Sequence, residues 1–299
     1  GLAGYAPETP VTPQTRFRVG SVAKPMTSVA VAQLVELGAL DVDAPVQTYV
    51  PTFPEKRWTL TTRQLGAHLG GIRHYRGEEF ASNTRYPTVA DGLTIFAADT
   101  LLHEPGTAYA YSSYGYNLVS AVVEGASGED FLGYMAAHVF EPLGMTSTVP
   151  DWTDSLYSDR TDYFARWNGE IVPAPPVDNS YKWAGGGFLS TAEDMLRLGE
   201  AIVLGDALGE TGRALLFTEQ TTRDGEGVDY GFGWALGTDG AGRRTVFHTG
   251  GSMGGTAYLL VIPEAGVVVA MATNIGGAAL GWVPEVAALL AEAVDEAVE

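Results

Sequence analysis

Apolar positions in this chain keep one period through most of its length and another near its end. From Ser21 to Leu37 they recur at the 3.6-residue spacing of a helix, and Gly38 supplies the stop. Pro25 falls in or just after the first turn, where a missing N–H costs least. Helical spacing also marks Thr61 to Leu69, which Gly70-Gly71 breaks, a stretch near Val89 to Thr100, Tyr114 to Glu124, and Glu129 to Val139. Leu40 to Pro54 reads as extended. Residues 150 to 182 are rich in Pro, Asp, Tyr and Trp and predict a long lid-like loop. Ser190 followed by Glu193 fits a capping box opening a helix through Leu204.

The period then changes to that of strands, over Tyr230 to Leu236, Arg244 to His248, Thr256 to Ile262 and Val267 to Thr273. The turns at Thr238 to Gly242 and Pro263 to Gly266 are too short for crossovers, so neighbouring strands should pair antiparallel. An amphipathic helix over Val283 to Val298 follows. The layout predicts an α+β fold: an antiparallel sheet flanked by helices, with an inserted, mostly helical subdomain. Residues 1–299 are expected to form one domain, with 1–39 and 183–299 making the sheet part and 40–182 the helical part. The site should lie in the cleft between them.

Composition narrows the function. At 299 residues, with 45% apolar and 18% charged positions, the chain can bury a large core. No apolar run reaches the ~18 residues that cross a bilayer, so no membrane insertion is expected. Gly1 to Tyr5 has neither the basic start nor the apolar core of a secretory signal. A periplasmic or secreted location is the expectation if such a segment has been removed. A net charge of −19 argues against nucleic acid and anionic membranes as partners. The absence of cysteine excludes disulfides, thiol catalysis and thiolate metal sites. His68, His74, His103 and His138 show no ligand spacing with a carboxylate and read as structural, so neither metal nor cofactor is expected.

The candidate chemistry starts at Ser21-Val22-Ala23-Lys24. Positions i and i+3 share a helix face, so Ser21 and Lys24 should meet. A serine hydroxyl needs a neighbouring base, and a lysine serves only where desolvation or nearby charge lowers its pKa. The chain holds only three lysines, Lys24, Lys56 and Lys182, yet places one a single turn after a serine. Two further elements follow in order. Tyr111-Ser112-Ser113 comes after Glu104-Pro105-Gly106 and opens an apolar helical stretch. His248-Thr249-Gly250-Gly251 lies between two strand-like runs. Gly250-Gly251-Ser252-Met253-Gly254 also matches G-x-S-x-G, but that motif needs a helix next. A strand follows here, so Ser252 reads as a turn residue.

The order S-x-x-K, Y-S-x, H-T-G resembles the penicillin-recognising serine hydrolases, on their class C side. Thr15 to Ser21, Leu69 to Tyr75, Pro105 to Thr107, Glu141 to Met145 and Ala184 to Gly187 match recurring segments of that superfamily. The stretch His68 to Tyr75 and the His-Thr-Gly-Gly element look most like the LACTB-type serine hydrolases and their bacterial relatives.

The resemblance implies that Ser21 attacks a carbonyl to form an acyl-enzyme, with Lys24 and Tyr111 moving protons. Which of the two is the base stays open. The N–H groups of Ser21 and Gly251 would form an oxyanion hole, beside the substrate-binding positions His248, Thr249, Gly250 and Ser113. His248 replaces the lysine of many relatives, so a substrate carboxylate should be held weakly and pH-dependently. Ser113 replaces an asparagine, which argues against efficient β-lactam turnover. A small-molecule or peptide substrate is expected: first for a D-Ala-type peptidase or peptide hydrolase, then a carboxylesterase, then a weak β-lactamase. A non-catalytic assembling scaffold is the rival from another class. Relatives carry a helix and strands ahead of where this chain starts, with Gly1 to Ala6 as the end of one strand. Without them, Val267 to Thr273 would expose an apolar edge that invites self-association unless another segment covers it. Tyr157, Tyr163, Phe164, Trp167, Tyr181 and Trp183 either shape an apolar pocket or pack the loop on its own core.

Overall fold

A computed structural model describes residues 1–298. In chain order the elements are β1 (Leu2–Tyr5), β2 (Glu8–Pro10), β3 (Phe17–Arg18), α1 (Ala23–Glu36), α2 (Thr62–Gly66), α3 (Val89–Leu93), α4 (Ser113–Ser127) and α5 (Phe131–Tyr134). There follow β4 (Val149–Pro150), β5 (Phe164–Trp167), β6 (Glu170–Pro173), α6 (Trp183–Gly186), β7 (Phe188–Ser190), α7 (Ala192–Gly199) and α8 (Glu210–Phe217). The chain ends in β8 (Ala235–Thr238), β9 (Arg244–Ser252), β10 (Gly255–Ile262), β11 (Val267–Thr273) and α9 (Val283–Val298). The fold is α+β, with an antiparallel four-stranded sheet in the order β11–β10–β9–β8.

Strand alternation puts the two faces of β10 into different cores. Ala257, Leu259 and Val261 join the large core, and Tyr258, Leu260 and Ile262 face α9 through Val283, Ala287 and Ala291. Those three helical residues are spaced by four, as one helix face requires. Helix α1 is buried through most of its length between α4, α6 and α8, so its first turn is held from several directions.

Several sequence expectations need correction. The 150–182 segment is not one irregular loop: Asn168-Gly169 adopts positive φ at both residues and folds β5 onto β6. Strand β8 begins at Ala235 rather than Tyr230, because positive φ at Asp229 and Gly233 turns the chain and sends Phe232 and Trp234 into the core. Strand β9 runs on through Ser252, carrying the whole His-Thr-Gly-Gly element. The helix near Val89 stops at Leu93 and gives way to three-residue turns. Thr191, not Ser190, caps α7: its Oγ accepts the Asp194 N–H at 3.1 Å, while the Ser190 hydroxyl bonds Thr148. Helix α8 had no counterpart in the periodicity reading. Leu2–Tyr5 is a strand, but it pairs with β2 and not with β11. Among the described residues, β11 has only β10 as a strand partner.

Candidate active site

Ser21 lies in a 3-10 turn, Gly20–Val22, that leads into α1. Gly20 has φ +51, and a side chain there would stand 2.6 Å from the Gly251 nitrogen. Gly250 has the same lack of room, since a Cβ would collide with the Val19 carbonyl. These two glycines let the backbone ahead of Ser21 rest on β9. Gly251 itself borders open space on its Cα side. Strand β8 pairs with β9 only as far as Phe247, so the 248–252 edge is left facing Ser21.

One turn along α1, the fully buried Lys24 places Nζ 2.9 Å from Ser21 Oγ, 3.1 Å from Ser113 Oγ and 2.8 Å from the Gly185 carbonyl. Among the described residues no carboxylate pairs with it. Burial, aided by the nearby Lys182 charge, pulls its pKa well below the usual lysine value. All three contacts are to oxygens that Lys24 can donate to, and once the amine loses a proton, as its burial favours, its lone pair can turn to the Ser21 hydroxyl.

The Tyr111 ring stands 4.8 Å from Lys24 Nζ. Burial raises the Tyr111 pKa, and proximity to the Ser21 and Ser113 hydroxyls offsets part of that rise, so the phenol stays protonated at neutral pH. Ser113 opens α4. Ser112 caps that helix, accepting the Gly115 N–H at 2.9 Å and donating to the Arg73 carbonyl.

Two histidines read as structural in the sequence prove to hold this corner. His68 Nδ1 accepts the Ser112 N–H, and His74 Nδ1 accepts the Ser113 N–H, both at 3.1 Å. The His68 ring also packs against Tyr111, 4.2 Å between centres and tilted by 42°, and the His68 backbone sits at φ +60, rare for a residue with a side chain. Burial and Lys24 keep both imidazoles neutral, with the His74 pKa pushed down to about 4.

His248 departs from expectation. Its Nδ1 lies 2.6 Å from the Thr249 carbonyl, which can only accept, so Nδ1 carries the proton. Nε2 therefore accepts from the Tyr230 hydroxyl at 2.8 Å. Burial, with Lys24 nearby, pushes its pKa down to about 3. The imidazole is neutral throughout the physiological range, and the expected pH-dependent anchoring of a carboxylate has no charged group here. Thr249 is exposed next to it.

Sequence reasoning missed Lys182, which is buried beside this site. The scarcity of lysine that singled out Lys24 applied equally to it. A buried ionic cluster ties the neighbouring segments together. Asp151 pairs with Arg18 at 2.6 Å and Arg160 at 3.1 Å and accepts from Asn179, and the Arg18 guanidinium also donates to the Met253 carbonyl. This fastens the strand before Ser21 to the end of β9.

The six loop aromatics do not form one pocket. Tyr181 and Trp183 are buried, Tyr163 lies under the Arg18 guanidinium, and Trp167 is 70% exposed on the β5–β6 hairpin. Ser252 is the last residue of β9 and not a turn residue as the sequence suggested; it is buried, and among the described residues its hydroxyl has no hydrogen-bond partner, a base included. His138 pairs with Glu129 at the surface. Among the described residues no cluster of His, Asp or Glu could hold a metal, and no helix is long and apolar enough to cross a membrane.

A family model described as Beta-lactamase matches residues 1–289. The chain is 30% identical to human mitochondrial LACTB, described as a serine beta-lactamase-like protein, over 88% of this chain and 65% of that one. It thus spans less than two thirds of that relative's length. It is 27% identical to Esterase EstB of Burkholderia gladioli, over 86% of this chain and 76% of that one. Among solved structures, a penicillin-binding protein from Bacillus halodurans superposes with a TM-score of 0.79 at 25% identity, covering 100% of this chain and 90% of that one.

Proposed function

The chain belongs to the beta-lactamase family, and on that premise we propose that it is a serine hydrolase working through an acyl-enzyme on Ser21. The observation that carries this reading is the Lys24 contact set: a fully buried, carboxylate-free lysine 2.9 Å from a serine hydroxyl. Uncharged Lys24 takes the Ser21 proton as Oγ attacks a carbonyl carbon. The negative charge that gathers on the carbonyl oxygen is met by the N–H groups of Ser21 and Gly251. As the tetrahedral adduct collapses, the proton passes from Lys24, through Tyr111 or Ser113, to the leaving amine or alcohol. Water then gives up a proton to the same base, attacks the ester, and returns Ser21 to its starting state. Burial favours Lys24 over Tyr111 as the initial acceptor, because it makes an amine easier to hold uncharged and a phenol harder to ionise.

The neutral His248 supports a second, narrower reading: esters and uncharged amides before peptides ending in a free carboxylate. This reverses the order drawn from sequence, which put a D-Ala-type peptidase first. Ser113 in place of asparagine keeps a β-lactamase role last.

The test is labelling with a serine-directed phosphonate, read by intact mass and peptide mapping, beside turnover of a p-nitrophenyl ester. One adduct on Ser21, with adduct and turnover both lost in Ser21→Ala, is expected. An adduct on Ser252 sinks the assignment by moving the nucleophile there, and no adduct together with no turnover favours a non-catalytic scaffold.

A further inference from the structure

Lys182 is a buried cation for which the hydrolytic scheme above has no use. It ends the 3-10 turn Ser180–Lys182, directly ahead of α6, and is 2% exposed. Its Nζ lies 4.6 Å from the centre of the Phe80 ring, 5.0 Å from Tyr181 and 5.6 Å from Tyr75. The one hydrogen bond of its side chain among the described residues goes to the Phe80 carbonyl at 3.3 Å. A desolvated ammonium held mainly by ring faces is costly to keep unless it does something there. Asp151 is the acid that acts on it, but that carboxylate is already engaged by Arg18, Arg160 and Asn179.

The position relative to Lys24 is specific. Three residues beyond Lys182, the Gly185 carbonyl receives Lys24 Nζ. Tyr75, one wall of the aromatic cup, also stands beside Ser113, another Lys24 partner. The titratable groups facing Lys24 are His68, His74, His248, Tyr111, Tyr116 and Lys182. The histidines and phenols are neutral, which leaves Lys182 as the cation among them. The charged groups facing Lys182 are Arg18 from β3 and Asp151 beyond β4, and the titratable groups around it are Lys24 from α1, His74, Tyr75 and Tyr181.

We propose that Lys182 is a positioning residue for hydrolysis: its ammonium, caged by Tyr75, Phe80 and Tyr181, repels a proton from Lys24 and so keeps that amine ready to accept one from Ser21. The inference rests on the reading of Lys24 as the base. Burial and Arg18 hold the Lys182 pKa down to about 7, against the pull of Asp151, so the repulsion is strongest on the acid side of neutrality.

The experiment is the pH profile of kcat/KM for ester hydrolysis in the wild type, Lys182→Met, Lys182→Gln and Lys182→Arg. Loss of the charge lets Lys24 keep its proton to higher pH. The acid limb should therefore move up by about half a unit or more in the Met and Gln variants. Lys182→Arg should keep it near the wild-type position. A packing role alone would lower the rate equally at every pH, and an unmoved limb in folded Met or Gln variants overturns the proposal. With only three lysines, [13Cε]lysine gives three resonances. Lys182 found uncharged across the whole acid limb of the wild type would also overturn it, whether or not the variants fold. Ser21→Ala and Lys24→Met separate the two readings: turnover that survives them removes the base assignment itself, whereas an unmoved limb with both variants inactive removes only Lys182.

Discussion

The Tyr230 hydroxyl lies 2.8 Å from His248 Nε2, and because burial holds the imidazole neutral the hydroxyl is the donor in this contact. A histidine whose other nitrogen is committed to the Thr249 carbonyl can accept at Nε2 only while neutral. Preference for uncharged acyl substrates should therefore be flat between pH 5 and 8. His248→Lys should raise kcat/KM for a carboxylate-bearing substrate relative to its methyl ester. A pH-dependent preference titrating near 6.5 in the wild type would contradict this arrangement.

Lys24→Met should separate activity from stability. Turnover should fall by at least about 10²-fold, as for removal of a general base. Thermal stability should hold or rise, because a buried amine without a carboxylate partner is replaced by an apolar chain of similar length. A large drop in Tm would show that the three Lys24 hydrogen bonds are mainly structural.

The three glycines at the site should behave differently. Gly20→Ala and Gly250→Ala force a Cβ against backbone of β9 and of Val19, and Gly20 also has positive φ. Each should destabilise by about 2–4 kcal/mol. Gly251→Ala points into open space and should keep the wild-type Tm while changing KM. Denaturant unfolding of the three variants, set beside ester kinetics, checks the contrast.

Acidification should weaken the fold. His74 and His248 are held near 4 and 3, and His68 well below its usual value, whereas all three take a proton near 6.5 when unfolded. Depressed histidine pKa values mean that the stabilisation is whole above about 6.5 and is lost as pH falls toward the folded values. The loss is about 1.4 kcal/mol per pH unit for each group inside that window. Melting curves at pH 7 and pH 5 should show the drop, and His74→Asn should reduce its slope. Equal stability at both pH values would mean that these imidazoles accept protons in place.

Strand β11 offers an apolar edge, Val267–Thr273, with no strand partner beyond β10 among the described residues. Such an edge should make the chain associate as concentration rises. Sedimentation velocity across a wide concentration range tests this, and a single monomeric species throughout would rule the edge out as a self-association surface.

Much of the fold and part of the site were legible in the sequence because the relevant physics is local. The spacing of Ser21 and Lys24 puts them on one helix face, and the bounds of β11 and α9 follow from period and turn residues alone. Asn168-Gly169 was equally local, a strong hairpin signal inside a segment read as irregular. The capping error at Ser190 was a choice between two adjacent oxygens that only the β7 pairing could make. Sequence by itself determined that Ser21 and Lys24 share a helix face, and it singled out Tyr111 and His248 as their candidate companions. Tertiary structure alone decided their charge states. His248 became neutral, His68 and His74 became props for α4, and Lys182 came to stand beside Lys24, because desolvation and the choice of hydrogen-bond partner depend on residues tens to hundreds of positions away.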